Sequence, residues 1–315
     1  MDYSFKPSKR QIYPEVHVDN FRDILNYTTL HFPNKVAFCY KSNPNLHDYK
    51  KVTYKEHYYD VKNLATMLLK FGLKGEKVAL IGHNKYGWPV AYMAINTGGM
   101  VCVPFDYLLP ENEIENLLIR CKAKAVIFDD KFLDVFKSIK SRKKTNLDIL
   151  ICMDDVKEEG VFVLNDLLEE GKKLRKKGNK DYEKIKIDSD KMSVIIFTSG
   201  TTDISKAVML SQRNICSNVS GMTSLLRYNE GERVLSCLPL NHTFECTATY
   251  LSCSFMGFSV CFCESLKNIQ KDMKDYGVAG FLCVPAILDI MYRKILKSIE
   301  KKRNDKEGKE WNSSF

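Results

Sequence analysis

The chain has 315 residues, 44% of them hydrophobic and 28% charged, with a formal net charge of +9 at pH 7. That is length enough for a large core or two domains, and the composition excludes a disordered, collagenous or low-complexity protein. The charge raises the question of nucleic acid, but the basic runs 137–146, 172–180 and 293–310 interleave no aromatic side chains for base stacking. No nucleic-acid partner is expected, and a solvated helix face is the simpler reading.

The same charge leaves open a peripheral attraction to anionic membranes or to polyphosphate ligands. Residues 1–20 carry no apolar segment of the kind a secretory leader needs. The most apolar late stretch, 280–292, contains Pro285 and Asp289. It falls short of the roughly 20 apolar residues of a membrane span. The 11 cysteines include no C-x-x-C pair and sit in apolar runs. Reduced, buried thiols in a cytoplasmic protein are expected.

In chain order, a helix is predicted over 53–72, opened by the capping box Thr53–Glu56 and closed at Gly72. Apolar runs at 77–83 and 100–105 read as strands. Pro110 stands where a first helical residue would, ahead of an amphipathic stretch. Further strands are expected at 124–129 and 147–153. A charged break between Asp154 and Asp190 suggests a subdomain boundary, dividing 1–180 from 181–315. Beyond it come strands at 193–198, 232–238, 258–263 and 279–284. A helix capped by Ser211 and an apolar, small-residue helix after residue 242 lie among them. Nearly continuous apolar runs alternating with helices predict an α/β fold of doubly wound sheets, their strands buried on both faces.

One stretch, FTSGTTDISKAVMLS at 197–211, has a composition that points to chemistry. Thr198, Ser199, Gly200, Thr201 and Thr202 are small, and all but the glycine carry hydroxyls. In α/β sheets, ligands sit beyond the carboxyl ends of strands. Small residues let the backbone approach a polyphosphate, and Gly200 can take dihedrals that others resist. Lys206 adds positive charge. A Walker loop would need glycine before that lysine and Ser or Thr after it. Here the neighbours are Ser205 and Ala207. A plain polar turn between two strands explains the same composition without a ligand.

The stretch resembles the phosphate-binding signature of the adenylate-forming superfamily, the acyl-CoA synthetases and their relatives. Thr198, Ser199, Gly200, Thr201, Thr202, Lys206 and Val208 match it. Residues 51–88 and 94–118 resemble the family's N-terminal segment. LPLNHTFE at 238–245 is similar to its second core motif in the long-chain fatty acid branch, and 283–289 fits the stretch beyond. The resemblance implies the doubly wound N-terminal domain of an ATP-dependent fatty acid–CoA ligase. A carboxylate attacks the α-phosphorus of ATP, pyrophosphate leaves, and coenzyme A takes the acyl group. It gives the loop and Lys206 the β- and γ-phosphates, Thr198 a part in placing Mg²⁺, and His242 a catalytic place beside the carboxylate. Between residues 238 and 267 the chain has Glu245 and Glu264 but no aspartate to pair with an amino acid's ammonium. A fatty acid is therefore the expected substrate.

The chain departs from the pattern at Asp203, Ala207 and Gln212, where the family has glycine, glycine and often histidine. A carboxylate at 203 is expected to weaken phosphate binding. The family's later Tyr-Gly-x-Thr-Glu motif is not matched. At 275–280 the sequence DYGVAG puts Ala279 and Gly280 where Thr-Glu would stand. The expectation is a sheet system incomplete at its C-terminal end, without the small C-terminal domain, and a chain of low activity by itself. The second reading is a non-catalytic ligand-binding or interaction protein derived from the same family.

Overall fold

The computed structural model describes residues 15–41, 47–198, 205–226, 229, 231–263 and 265–312, with side chains up to residue 300. Helix α1 (Phe21–His31) leads into strands β1 (Val36–Tyr40) and β2 (Lys50–Thr53). Next come α2 (Tyr54–Lys70), β3 (Lys77–Ile81), α3 (Gly87–Thr97), β4 (Val101–Pro104), α4 (Glu111–Cys121) and β5 (Ala125–Phe128). The chain continues through α5 (Leu133–Ser141), β6 (Ile149–Cys152), β7 (Val161–Val163), α6 (Leu164–Lys176) and α7 (Asp181–Lys184). Then follow β8 (Met192–Thr198), β9 (Lys206–Ser211), α8 (Gln212–Leu225) and β10 (Arg233–Ser236). A π-helical stretch (Glu245–Ser252), α9 (Cys253–Phe255), β11 (Ser259–Phe262), α10 (Ile269–Tyr276) and β12 (Gly280–Phe281) complete the body. Residues 282–315 form a separate unit, dominated by the single helix α11 (Pro285–Asn312). No helix among the described residues is long and apolar enough to cross a membrane.

The described strands form two sheets. The seven-stranded sheet has the order β7-β6-β5-β3-β4-β8-β9, parallel except for the last pair. From β3 the chain steps to β4 on one side and then back to β5 on the other, the doubly wound pattern. Successive residues of β3 alternate between two cores. Val78 and Leu80 join the cluster under α2 and α3, while Ala79 and Ile81 join the one containing Ile114, Leu118, Phe136 and Ile139. Burial on both faces explains why these strands read as unbroken apolar runs. The five-stranded sheet, β12-β10-β11-β1-β2, is assembled from both ends of the body, with Cys39 opposite Cys261. Both sheets draw strands from either side of residue 180.

The capping box Thr53–Glu56 and the left-handed Gly72 bound α2 as expected. Ser211 caps α8, with Asn214 completing a second box. Pro110 stands one place earlier than expected. Its ψ of 159° is extended, so it is the cap of α4, and its carbonyl accepts from the amides of Glu113 and Ile114. Helix α6 crosses α2 so closely that a Cβ at Gly171 would lie 2.1 Å from the Asn63 carbonyl oxygen. Charges in two of the basic runs are paired on helix surfaces. Arg142 meets Glu111 and Glu115, Lys137 meets Glu158, and Arg175 meets Glu183. None of the 11 cysteines is in a disulfide, and all but Cys237 and Cys283 are buried.

Candidate functional site

Strands β8 and β9 pair antiparallel, in a ladder that ends with Thr198 opposite Lys206. The loop therefore leaves and re-enters the sheet at one point, between a hydroxyl and an ammonium that are both exposed. Ser199, Gly200, Thr201 and Thr202, with Asp203, lie outside the described residues. A second cation joins this edge, and it carried no signal in the sequence. Arg120, in the last turn of α4, donates to Ser205 Oγ at 3.0 Å and to the Ser205 carbonyl at 2.7 Å. Its guanidinium lies 5.0 Å over the Phe197 ring, so one side chain grips both flanks of the loop.

Gln212 is 3% exposed and knits the base of the hairpin into the core. Its Oε1 accepts from the amide of Phe21, and its Nε2 donates to the Asn96 carbonyl and to Ser193 Oγ. The departure from the family's usual histidine thus has a local role, joining α1, α3 and β8.

His242 lies in the turn between β10 and the π-helical stretch. Its amide donates to the Pro239 carbonyl at 3.1 Å, and its carbonyl accepts from Cys246 N at 3.0 Å. The imidazole is exposed. Its neighbours Asn241 and Thr243 line a crevice of about 10 Å³ with Pro104 of β4 and Val194 and Ile196 of β8. That is scarcely room for one water, so the turn is packed onto the strand that ends at Thr198. The carboxamide oxygen of Asn241 is buried with no hydrogen-bond partner among the described residues.

Glu245 opens the π-helical stretch and is fully buried. Ser236 Oγ donates to its Oε1 at 2.6 Å and Thr249 Oγ1 to its Oε2 at 2.9 Å. Burial pushes its pKa up to about 7, against the opposing pull of the two hydroxyls. Held this way, Glu245 is not placed to pair with a substrate ammonium. On the outer side of the turn a groove of about 470 Å³ is lined by Leu210, Ile215, Met222, Phe244, Thr247 and Ala248 among others. The segment DYGVAG is structural. Asp275 and Asp272 hold the buried ammonium of Lys41 at 2.6 and 2.7 Å, and Gly277 ends α10 in the left-handed region. Among the described residues no group of three or more His, Cys, Asp or Glu side chains could hold a metal ion.

The AMP-binding enzyme family matches this chain over residues 27–312. A chloroplastic long-chain-fatty-acid–[acyl-carrier-protein] ligase of Arabidopsis thaliana is 26% identical, over 79% of this chain and 36% of its own length. A mitochondrial medium-chain acyl-CoA ligase of Danio rerio is 28% identical, over 76% of this chain and 41% of its own. The N-terminal domain of the Mycobacterium tuberculosis protein FACL13 superposes with a TM-score of 0.72 at 20% identity, over 87% of this chain and 65% of that one. The chain belongs to the AMP-binding enzyme family, and its fold is the α/β fold of that N-terminal domain. It spans well under half the length of the two curated relatives.

Proposed function

We propose that the protein takes part in ATP-dependent activation of a carboxylic acid, a long-chain fatty acid, through an acyl-adenylate to acyl-CoA. The observation that carries this reading is the shared strand. Thr198 meets Lys206 at the mouth of the loop, and the turn bearing His242 packs on Val194 and Ile196 of the same β8. The loop with Lys206 and Arg120 holds the phosphates, where charge-assisted hydrogen bonds stabilise the charge that builds on leaving pyrophosphate. His242 faces the carboxylate oxygen that attacks the α-phosphorus. The groove beside Phe244 and Met222 takes the aliphatic chain, since its lining is largely apolar and Glu245 is turned away from it. ATP and coenzyme A are substrates in this scheme. Among the described residues no group of three or more His, Cys, Asp or Glu side chains could hold Mg²⁺ beside Thr198, and no step here runs through a metal. Free, buried thiols suit a reducing compartment such as the cytoplasm.

Exchange of labelled pyrophosphate into ATP, with and without palmitate, tests the reading. Exchange that depends on palmitate is expected, and Lys206→Ala should raise the KM for ATP. Binding of palmitate and ATP with no exchange would favour the second reading, a non-catalytic ligand-binding protein of the same family.

A further inference from the structure

Ten residues, from Ser236 to Glu245, carry the chain from β10 to the π-helical stretch, and His242 lies within them. The ends of this span are tied to each other by the 2.6 Å bond from Ser236 Oγ to Glu245. Its middle is tied to the other sheet. Asn84, just past the carboxyl end of β3, donates from Nδ2 to the Leu238 carbonyl at 2.7 Å, and its Oδ1 accepts from the Leu240 amide at 3.0 Å. The same Nδ2 donates to Ser236 Oγ at 3.1 Å. One planar carboxamide therefore holds the backbone at two points shortly before His242 and feeds the buried chain Asn84–Ser236–Glu245–Thr249. The His242 ring itself is exposed, and no hydrogen bond to it is seen among the described residues. Its position is therefore set through its backbone.

We propose that Asn84 is a positioning residue for His242, clamping residues 238–240 and, by way of Ser236, engaging Glu245. The role needs an asparagine. Two donors and one acceptor must lie in one plane, which aspartate cannot supply in its ionised form and alanine lacks altogether. An error of about 1 Å in placing a reacting group can cost about 10²-fold in rate, so a clamp of this kind acts on turnover. The proposal rests on the acid-activation reading for its kinetic consequence and on geometry for its structural one.

The test compares the full chain with Asn84→Ala, Asn84→Asp and Glu245→Gln. Hydrogen exchange is read at the Leu240 amide and palmitate-dependent pyrophosphate exchange is read as kcat and KM. Asn84→Ala should unprotect Leu240 and lower kcat about 10–10²-fold. The KM for ATP should stay within about twofold, because the Thr198–Lys206 ladder is untouched. Asn84→Asp should keep Leu240 protected yet still lower kcat. Glu245→Gln, which can still accept from Ser236, should keep most of the turnover. Unchanged Leu240 protection in Asn84→Ala overturns the clamp. So does a parallel loss of kcat, KM and cooperative unfolding in every variant, which would mark a purely structural network. If wild type shows no pyrophosphate exchange, the activation reading fails and the clamp stands or falls on Leu240 protection.

Discussion

The loop between β8 and β9 is gripped at its ends by exposed groups, Thr198, Lys206 and Arg120, whereas the turn carrying His242 is held from beneath by Ser236, Glu245 and Thr249, each fully buried. The difference matches what each would do. A polyphosphate must enter and leave, and exposed cations in high dielectric can be re-solvated at little cost. A group that meets a reacting carboxylate must return to one place in every cycle, and a buried, satisfied polar network has few alternative arrangements. The exposed grip should therefore govern affinity and the buried one turnover and stability.

The largest effect expected from breaking this contrast is at His242. Its side chain is exposed, so His242→Ala should leave the melting temperature where it is. If it contacts the transition state, its loss should lower palmitate-dependent exchange about 10²–10³-fold, or about 2.7–4 kcal/mol. Exchange within a few-fold of wild type would remove His242 from the chemistry and leave its turn a structural one.

The next effect is on the buried side and depends on pH. The Glu245 pKa is raised from the ordinary 4.5 to about 7 in the folded chain. A group shifted this way favours the folded state fully below pH 4.5, and that contribution is lost as pH rises through about 7. At 1.36 kcal/mol per pKa unit the swing is about 3 kcal/mol. Unfolding free energies from denaturant titrations at pH 4 to 8 should fall in wild type, and the Glu245→Gln variant should be flatter by about that amount. Parallel curves would show that the carboxyl ionises without penalty, and the turn would then be held no more firmly than the loop.

A third variant asks whether the hairpin is as loosely held at its root as at its mouth. Gln212 follows β9 directly and makes three hydrogen bonds in a buried setting. Gln212→Ala strands the Phe21 amide and takes one of its donors from the Asn96 carbonyl, which still accepts from the Gly99 amide, and should cost about 1–3 kcal/mol in chemical denaturation. A cost near zero would mean that α1 is docked by its apolar face, through Phe21, Ile24 and Leu25, without help from Gln212.

How far these features can be read in the sequence depends on how far apart their partners lie. Strands such as β3, β5 and β6 announce themselves because burial on both faces makes every residue apolar. Strands β1 and β2 do not, since β2 is an edge strand that opens on two exposed lysines and β1 is completed by β11 more than 200 positions later. Local caps at Thr53 and Ser211 are legible because donor and acceptor lie three residues apart. Thr198, Lys206 and His242 stand out through their motifs. Asn84 and Arg120 do not, since their partners lie 152 and 85 positions away and no local pattern requires them. Gln212 reads as a flaw against the family's pattern until its three partners are seen.

The smallest effect is expected at Arg120, and it tests the exposed half of the comparison most directly. Its hydrogen bonds to Ser205 and its place over Phe197 are all at the surface. Exposed charge contacts and cation–π pairs are each worth about 0.5–1 kcal/mol or less, so Arg120→Ala should barely move the denaturant midpoint. What it should change is the order of the loop. The Ser205 carbonyl loses a donor and the re-entry at Lys206 loses its brace, so limited proteolysis between 198 and 206 should quicken. The apparent affinity for ATP should fall a few-fold with kcat unchanged. Added salt should weaken ATP binding in wild type and narrow the gap to the variant, because screening acts on exposed charges first. If Arg120→Ala instead lowers kcat and leaves both proteolysis and ATP affinity alone, the guanidinium serves the reaction and not the loop, and the division between an affinity edge and a turnover edge fails at this residue.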